Sequence, residues 1–148
     1  MILRKLEIED LEFLLNVRNH PSTRVWLENK QEFTIEECRE WFKNLKDDWF
    51  IIEVNFISVG YIRTSNETED GICVGCDIHP RFRRKGYATE AYKKIIEKYK
   101  NKSIYLWVFK INPAVKLYKK LGFKSTGETK LVRNMNYIRM ELWNSVEC

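Results

Sequence analysis

The sequence predicts a mixed α/β (α+β) domain with one sheet and helices on both faces. Short apolar runs bounded by turn residues are interleaved with segments of helical apolar spacing. Apolar residues make up 44% of the chain, enough for one real core and too many for a disordered polymer. The 148 residues fit one domain, so 1–148 is read as a single unit.

Taken in order, residues 2–7 (ILRKLE) read as a short strand. Leu11, Leu14 and Leu15 give helical spacing through LEFLLNVRN, and Pro21 stops it. Residues 21–33 read as loop. Thr34 and Glu37 make a capping box, with Phe33 and Cys38 placed for a hydrophobic staple. The helix that follows puts Ile35, Cys38, Trp41, Phe42 and Leu45 on one side. Residues 49–54 (WFIIEV) and 57–64 (ISVGYIRT) are strands joined by a tight turn, and 65–71 (SNETEDG) is a polar turn. Residues 72–78 (ICVGCDI) form a further strand, ended by His79-Pro80.

In 81–100, RFRRKGYATEAYKKIIEKYK, a cationic turn with a glycine leads into a helix. Ala88, Ala91, Tyr92, Ile95, Ile96 and Tyr99 share its apolar face. Residues 103–109 (SIYLWVF) are apolar on both sides, which predicts a central strand covered on both faces. Asn112 is an N-cap, Pro113 fits the first turn, and Gly122 closes that helix. FKSTGE and the longer NMNYIRMELW are the last strands, giving the order β-α-α-β-β-β-α-β-α-β-β.

Net charge is +5, which suits an anionic partner or a lysine-rich solvated surface equally. The N-terminus MILRKLEIED lacks the apolar stretch of a signal peptide and no run is long enough for a membrane span, so a cytoplasmic chain is expected. Cys38, Cys73, Cys76 and Cys148 are then reduced thiols. The CxxC of Cys73 and Cys76 lies in a strand, where positions three apart face opposite ways, so neither redox nor metal chemistry is expected of it. No metal site is expected elsewhere.

A helix N-terminus offers free backbone N–H groups, and a glycine beside it lets a phosphate approach. Neither GxxxxGK[ST] nor GxGxxG is present. What stands at the turn is Arg83-x-x-Gly86-x-Ala88, with Arg84 and Lys85 as further cations. Downstream, 112-NPAVKLYKKLGF-123 sets Tyr118 on or beside the apolar face of its helix.

With these two motifs the chain resembles the GNAT acetyltransferases. Arg83, Gly86 and Ala88 match the family's R/Q-x-x-G-x-G/A signature, and Asn112, Ala114, Tyr118 and 121-LGF-123 match its next motif. The order of elements is also the family's, so the resemblance covers essentially the whole chain. It implies a mostly antiparallel central sheet of about seven strands, with the cleft between strands 72–78 and 103–109. It implies acetyl-CoA as cosubstrate and a single N-acetyltransferase domain, monomeric or homodimeric. Backbone N–H groups from Lys85 through Gly86, Tyr87 and Ala88 to Thr89 would hold the pyrophosphate, aided by Arg83 and Arg84. The strand ending at Ile78 would pair with the pantetheine arm, and Asn112 would orient that arm or the helix start. Tyr118 would protonate the leaving thiolate; a phenol of pKa about 10 is protonated at neutral pH. Asp77 is the candidate base, with His79 and Glu53 considered beside it.

In the family it resembles, the choice of acceptor resides mostly with the first helices and their loop. Arg18-Asn19-His20-Pro21 and Trp26 resemble a branch that acetylates either ribosomal-protein N-termini or the 4-amino group of nucleotide-linked sugars, as in pseudaminic acid synthesis. The likeness is closer to the sugar branch in Arg18–Pro21 and in the spacing to Trp41. Arg18, Asn19 and Trp26 are therefore the expected acceptor contacts. Arginines, Arg24 included, take phosphate oxygens in pairs and an indole covers a sugar or base. A non-catalytic CoA-binding domain and a nucleic-acid binder stay open as other classes. The first is disfavoured by an intact Tyr118. The second needs exposed aromatics among Lys and Arg, whereas the aromatics here fall mostly on core-like positions.

Overall fold

The computed structural model describes residues 1–65 and 71–143. Its elements are β1 (Ile2–Lys5), α1 (Leu11–Arg18), α2 (Pro21–Arg24), α3 (Ile35–Lys43), β2 (Asp48–Val54), β3 (Ile57–Thr64) and β4 (Ile72–Ile78), followed by α4 (Tyr87–Lys98), β5 (Ile104–Phe109), α5 (Ala114–Lys120), β6 (Lys124–Val132) and β7 (Met135–Leu142). The strands form one sheet of seven in the order β1-β2-β3-β4-β5-β7-β6. All neighbours are antiparallel except β4 and β5, which run parallel.

Strand alternation sorts the apolar residues into two sets. Ile52, Ile62, Val74, Ile78, Leu106 and Val108 face Ala91, Tyr92 and Ile95 of α4. Ile51 and Tyr61 point the other way and pack with Leu11, Leu14 and Val17 of α1 and Cys38 of α3. Both hairpin turns have positive φ at their two central residues, Asn55 and Phe56, then Arg133 and Asn134, as two-residue primed turns require. β6 runs on past Gly127, where φ is +88°, by shifting register between Ser125 and Thr129, so it is longer than FKSTGE alone.

The expected capping box is present: Thr34 Oγ1 accepts from Glu37 N at 3.1 Å and Glu37 Oε1 accepts from Thr34 N at 3.0 Å. Thr34→Ala is expected to cost about 1 kcal/mol and to lower the melting temperature by about 2–4 °C, since the chain is near 150 residues. A calorimetric scan checks it, and an unchanged melting temperature would show that α3 does not depend on its cap.

Two expectations change. Residues 21–33 are not all loop. Pro21 ends α1 but also suits the first turn of α2, which His20 caps by accepting from Ser22 N at 3.1 Å. β5 is interior to the sheet but buried on one face only. Its other face carries Tyr105, Trp107 and Phe109, covered by long cations and one indole rather than by a helix. Arg139 lies 3.9 Å over the Tyr105 ring, Lys130 lies 4.3 Å over Trp107, and Trp26 packs 5.9 Å from Phe109. Apolarity on both sides thus reflects one core face and one aromatic face. The turn expected at 65–71 falls mostly outside the described residues, as does Cys148.

Candidate active site

β4 and β5 are bonded only at Ile72↔Ile104 and Cys73↔Tyr105. Beyond that point β4 stays with β3 up to Ile78, while β5 stays with β7 up to Phe109. The sheet therefore splits, and a cleft of about 510 Å³ opens between the two strands. From Val74 onward the β4 edge facing β5 has no strand partner, which leaves backbone groups available to an extended ligand.

α4 starts at the mouth of this cleft. Arg84 and Gly86 both adopt left-handed φ, +63° and +81°, turning the chain sharply into the helix. The first backbone return bond is Glu90 N to Gly86 O at 3.1 Å, and no side chain caps the helix. The N–H groups of Tyr87, Ala88 and Thr89 have no intrahelical acceptor, and all three residues line the cleft with Arg84 and Gly86. A β-carbon at Gly86 would meet nothing within 4 Å, so the position calls for glycine because of its left-handed φ and not because of crowding. Lys85 is exposed in the turn without lining the cleft.

Arg83 lines the cleft, but its guanidinium is occupied. It donates to Ile78 O at 2.9 Å, Ser22 Oγ at 2.7 Å and Thr23 Oγ1 at 3.0 Å. It thereby ties α2 to the end of β4. Asn112 also lines the cleft while its Oδ1 accepts from Ala114 N at 2.9 Å, so it sets the start of α5.

Tyr118 projects from α5 into the cleft. Tyr92 O–H donates to its oxygen at 3.4 Å, with the rings edge to face at 5.5 Å. Burial pushes the Tyr118 phenol up to about 12. Its proton is therefore retained throughout the neutral range, and the hydroxyl that donates to it leaves its own hydrogen available.

Asp77 sits on the opposite face of the split sheet from α4, beside its register partner Tyr61, whose hydroxyl donates to Oδ2 at 2.8 Å. Burial raises the Asp77 carboxyl above its ordinary range, although the Tyr61 hydrogen bond and Arg63, Arg83 and Arg18 oppose this. Among the described cleft-lining residues Asp77 is the one carboxylate. The two other candidate bases lie elsewhere. Glu53 accepts from Arg4 Nε at 2.7 Å, and His79 caps the turn after β4 by accepting from Arg81 N at 3.1 Å. Cys73 and Cys76 alternate to opposite faces of β4, and burial raises both thiols.

Over residues 1–124 the sequence matches the family described as acetyltransferase (GNAT) domain. The chain belongs to the GNAT acetyltransferase family. Among solved structures, the spermidine N-acetyltransferase from Vibrio cholerae in complex with CoA and spermine superposes with a TM-score of 0.87 at 23% identity, covering 97% of this chain and 95% of that one. An N-acetyltransferase from Staphylococcus aureus Mu50 gives 0.78 at 21% identity, covering 95% and 96%. The ribosomal-protein-alanine N-acetyltransferase from Brucella melitensis gives 0.76 at 16% identity, covering 96% and 99%. At such identities the likeness is one of fold. No curated protein matches the sequence.

In this GNAT domain the expected acceptor residues part company. Trp26 lines the cleft, reached through α2. Arg18 donates to Asn29 O at 2.6 Å and Gln31 O at 3.2 Å and lies over the Phe33 ring at 4.8 Å. Asn19 pairs with the backbone of Phe33 in both directions, at 2.8 and 3.1 Å. Arg24 donates to Asn19 O and Lys30 O and pairs with Glu32. These three clamp the loop between α2 and α3. Tyr92, Tyr61 and Arg63 are cleft or near-cleft residues that sequence reasoning misses. Each depends on which residue lies across the sheet or across the helix pair, a signal no local motif carries. Among the described residues no cluster of His, Cys, Asp and Glu is placed to hold a metal ion, and no helix is long and apolar enough to cross a membrane.

Proposed function

We propose that this GNAT domain is an acetyl-CoA-dependent N-acetyltransferase whose acceptor is the amino group of a nucleotide-linked amino sugar. The observation that carries the first half is the uncapped start of α4, opening onto a cleft that also holds the Tyr118 hydroxyl. The donors of Tyr87, Ala88 and Thr89 fit a pyrophosphate, with Arg84 beside them. The free edge of β4 from Val74 to Ile78 fits the pantetheine amides. When bound, acetyl-CoA supplies the thioester carbon to which the amine nitrogen bonds as the C–S bond breaks. Tyr118 then gives its proton to the departing sulfur. Asp77, held by Tyr61, takes the proton the amine must lose.

Trp26 at the rim and a lining with one carboxylate support the sugar-nucleotide half, because an indole covers a sugar or base. A sugar amine also loses its proton more readily than lysine, whose free pKa is about 10.4. Thiol release from acetyl-CoA, measured against a panel of amino-sugar nucleotides, peptide N-termini, lysine and polyamines, tests this. A 4-amino-sugar nucleotide is expected to react fastest. Preferred turnover of a peptide N-terminus, with none of any sugar nucleotide, would assign the protein to the protein-modifying branch.

Asp77 has a pH signature. Because burial raises its pKa, the acid limb of kcat/KM lies above the ordinary carboxylate range, and Asp77→Asn removes that limb. The stability sign is opposite to that of a salt-bridged carboxylate. The folded state holds the proton more tightly, so between the unfolded pKa and the raised folded one the unfolded chain binds fewer protons. Stability therefore falls as pH rises through that window. Denaturant melts of wild type and Asp77→Asn across the acid range check this; equal slopes would remove Asp77 from the account.

A further inference from the structure

Three arginines line the cleft: Arg84 is exposed in the turn before α4, Arg83 is tied to protein oxygens, and Arg63 is half-buried. Arg18, Arg24 and Arg83 all donate to protein oxygens. Arg63 lies on β3 opposite Gly75 of β4, and both line the cleft. A β-carbon at Gly75 would come within 2.8 Å of Arg63 Cζ and Nη2 and 3.0 Å of Nε. The guanidinium is therefore laid against bare backbone, in a space that only glycine leaves. Its Cζ is 5.9 Å from the Trp49 ring, and no oxygen among the described residues accepts a hydrogen bond from the guanidinium. It is half-buried and acts on Asp77 more strongly than any other cation there.

A guanidinium has a rigid fork of donors, and one that is partly removed from water gains most from a planar or tetrahedral anion. Here the fork already lies against its bed and has no acceptor among the described residues to give up. We propose that Arg63 anchors an anionic group of the acceptor, a phosphate or a carboxylate, on the bed made by Gly75, with the amine turned toward Asp77. This rests on the acetyltransferase reading above and names the acceptor class: an amine that carries its own negative charge. A polycationic amine meets Arg63 as a like charge. The role of phosphate ligand expected of Arg18 on α1 thus passes to Arg63 on β3.

The test uses matched pairs of acceptors with the full chain. Glucosamine 6-phosphate against glucosamine is the phosphate arm; 4-aminobutyrate against butylamine is the carboxylate arm; spermidine is the polycation. In at least one arm the charged member is expected to exceed its neutral twin in kcat/KM by about tenfold or more, as a charge-assisted fork contact allows, and that arm identifies the anion. Arg63→Gln brings the ratio to within about twofold of one. Gly75→Ala, which keeps the charge but fills the bed, lowers the same ratio. Circular dichroism verifies that both variants fold. Ratios near one in both arms for the wild type, or a ratio that survives Arg63→Gln, would overturn the proposal. Calorimetric titration of the CoA-saturated protein with glucosamine 6-phosphate and with glucosamine separates it from the underlying reading. Anion-selective binding lost in Arg63→Gln, without turnover of any amine, keeps the anchor and removes the reaction. Turnover of amines without anion-selective binding does the reverse.

Discussion

Tyr118→Phe lowers kcat by roughly 10²–10⁴-fold, the range of a positioned general acid, and leaves acetyl-CoA affinity nearly unchanged. The reason lies in what the substitution keeps. The phenyl ring retains the edge contacts that Tyr118 makes with Tyr92 and Phe123, at 5.5 and 6.0 Å, so the wall of the cleft stays in place. Only the hydroxyl is lost. Tyr92 then has no phenol oxygen to donate to, a modest cost of about 1 kcal/mol in stability. Because burial pushes the phenol up to about 12, the wild-type rate has no alkaline limb from Tyr118 in the neutral range. Steady-state kinetics with the true acceptor decide the matter. A rate within about twofold of wild type would make Tyr118 a packing residue.

Gly86→Asp is expected to abolish useful acetyl-CoA binding while the domain stays folded. Two effects add. At φ of +81° an aspartate is strained, though Asp and Asn tolerate this region better than branched residues. Its Cβ enters space that nothing in the protein occupies, and its carboxylate, one residue before α4, is within reach of the N–H groups that lack an intrahelical acceptor. A carboxylate there takes those donors for itself and repels the pyrophosphate. We expect a loss of several kcal/mol, about a hundredfold or more in Kd, with a small change in melting temperature. Calorimetry on the folded variant returning the wild-type affinity would dispose of the cradle.

What could be read from the sequence was local. The capping box of Thr34 and Glu37 spans a few residues and its partners are in the pattern itself. The same holds for Gly86 before α4, and for Asn112, which caps α5 although the helix is counted from Ala114. Long-range pairing was not legible. Arg63 matters because β3 and β4 register it against Gly75, and Tyr92 matters because α4 brings it to Tyr118. Arg18 and Arg24 looked like free cations because their acceptors are loop carbonyls, which no side-chain motif records. For β5, hydrophobicity could not separate a second core face from an aromatic face dressed by Lys130, Arg139 and Trp26.

The central claim is that the start of α4 receives the pyrophosphate of acetyl-CoA at the point where β4 and β5 part. Backbone amide NMR of the ¹⁵N-labelled chain titrated with CoA measures it directly. The amides of Tyr87, Ala88 and Thr89 are predicted to shift and to gain protection from exchange with CoA, and to change far less with pantetheine, which lacks the pyrophosphate. Saturable CoA binding that leaves those three amides where they were, with shifts gathered elsewhere on the domain, would contradict it.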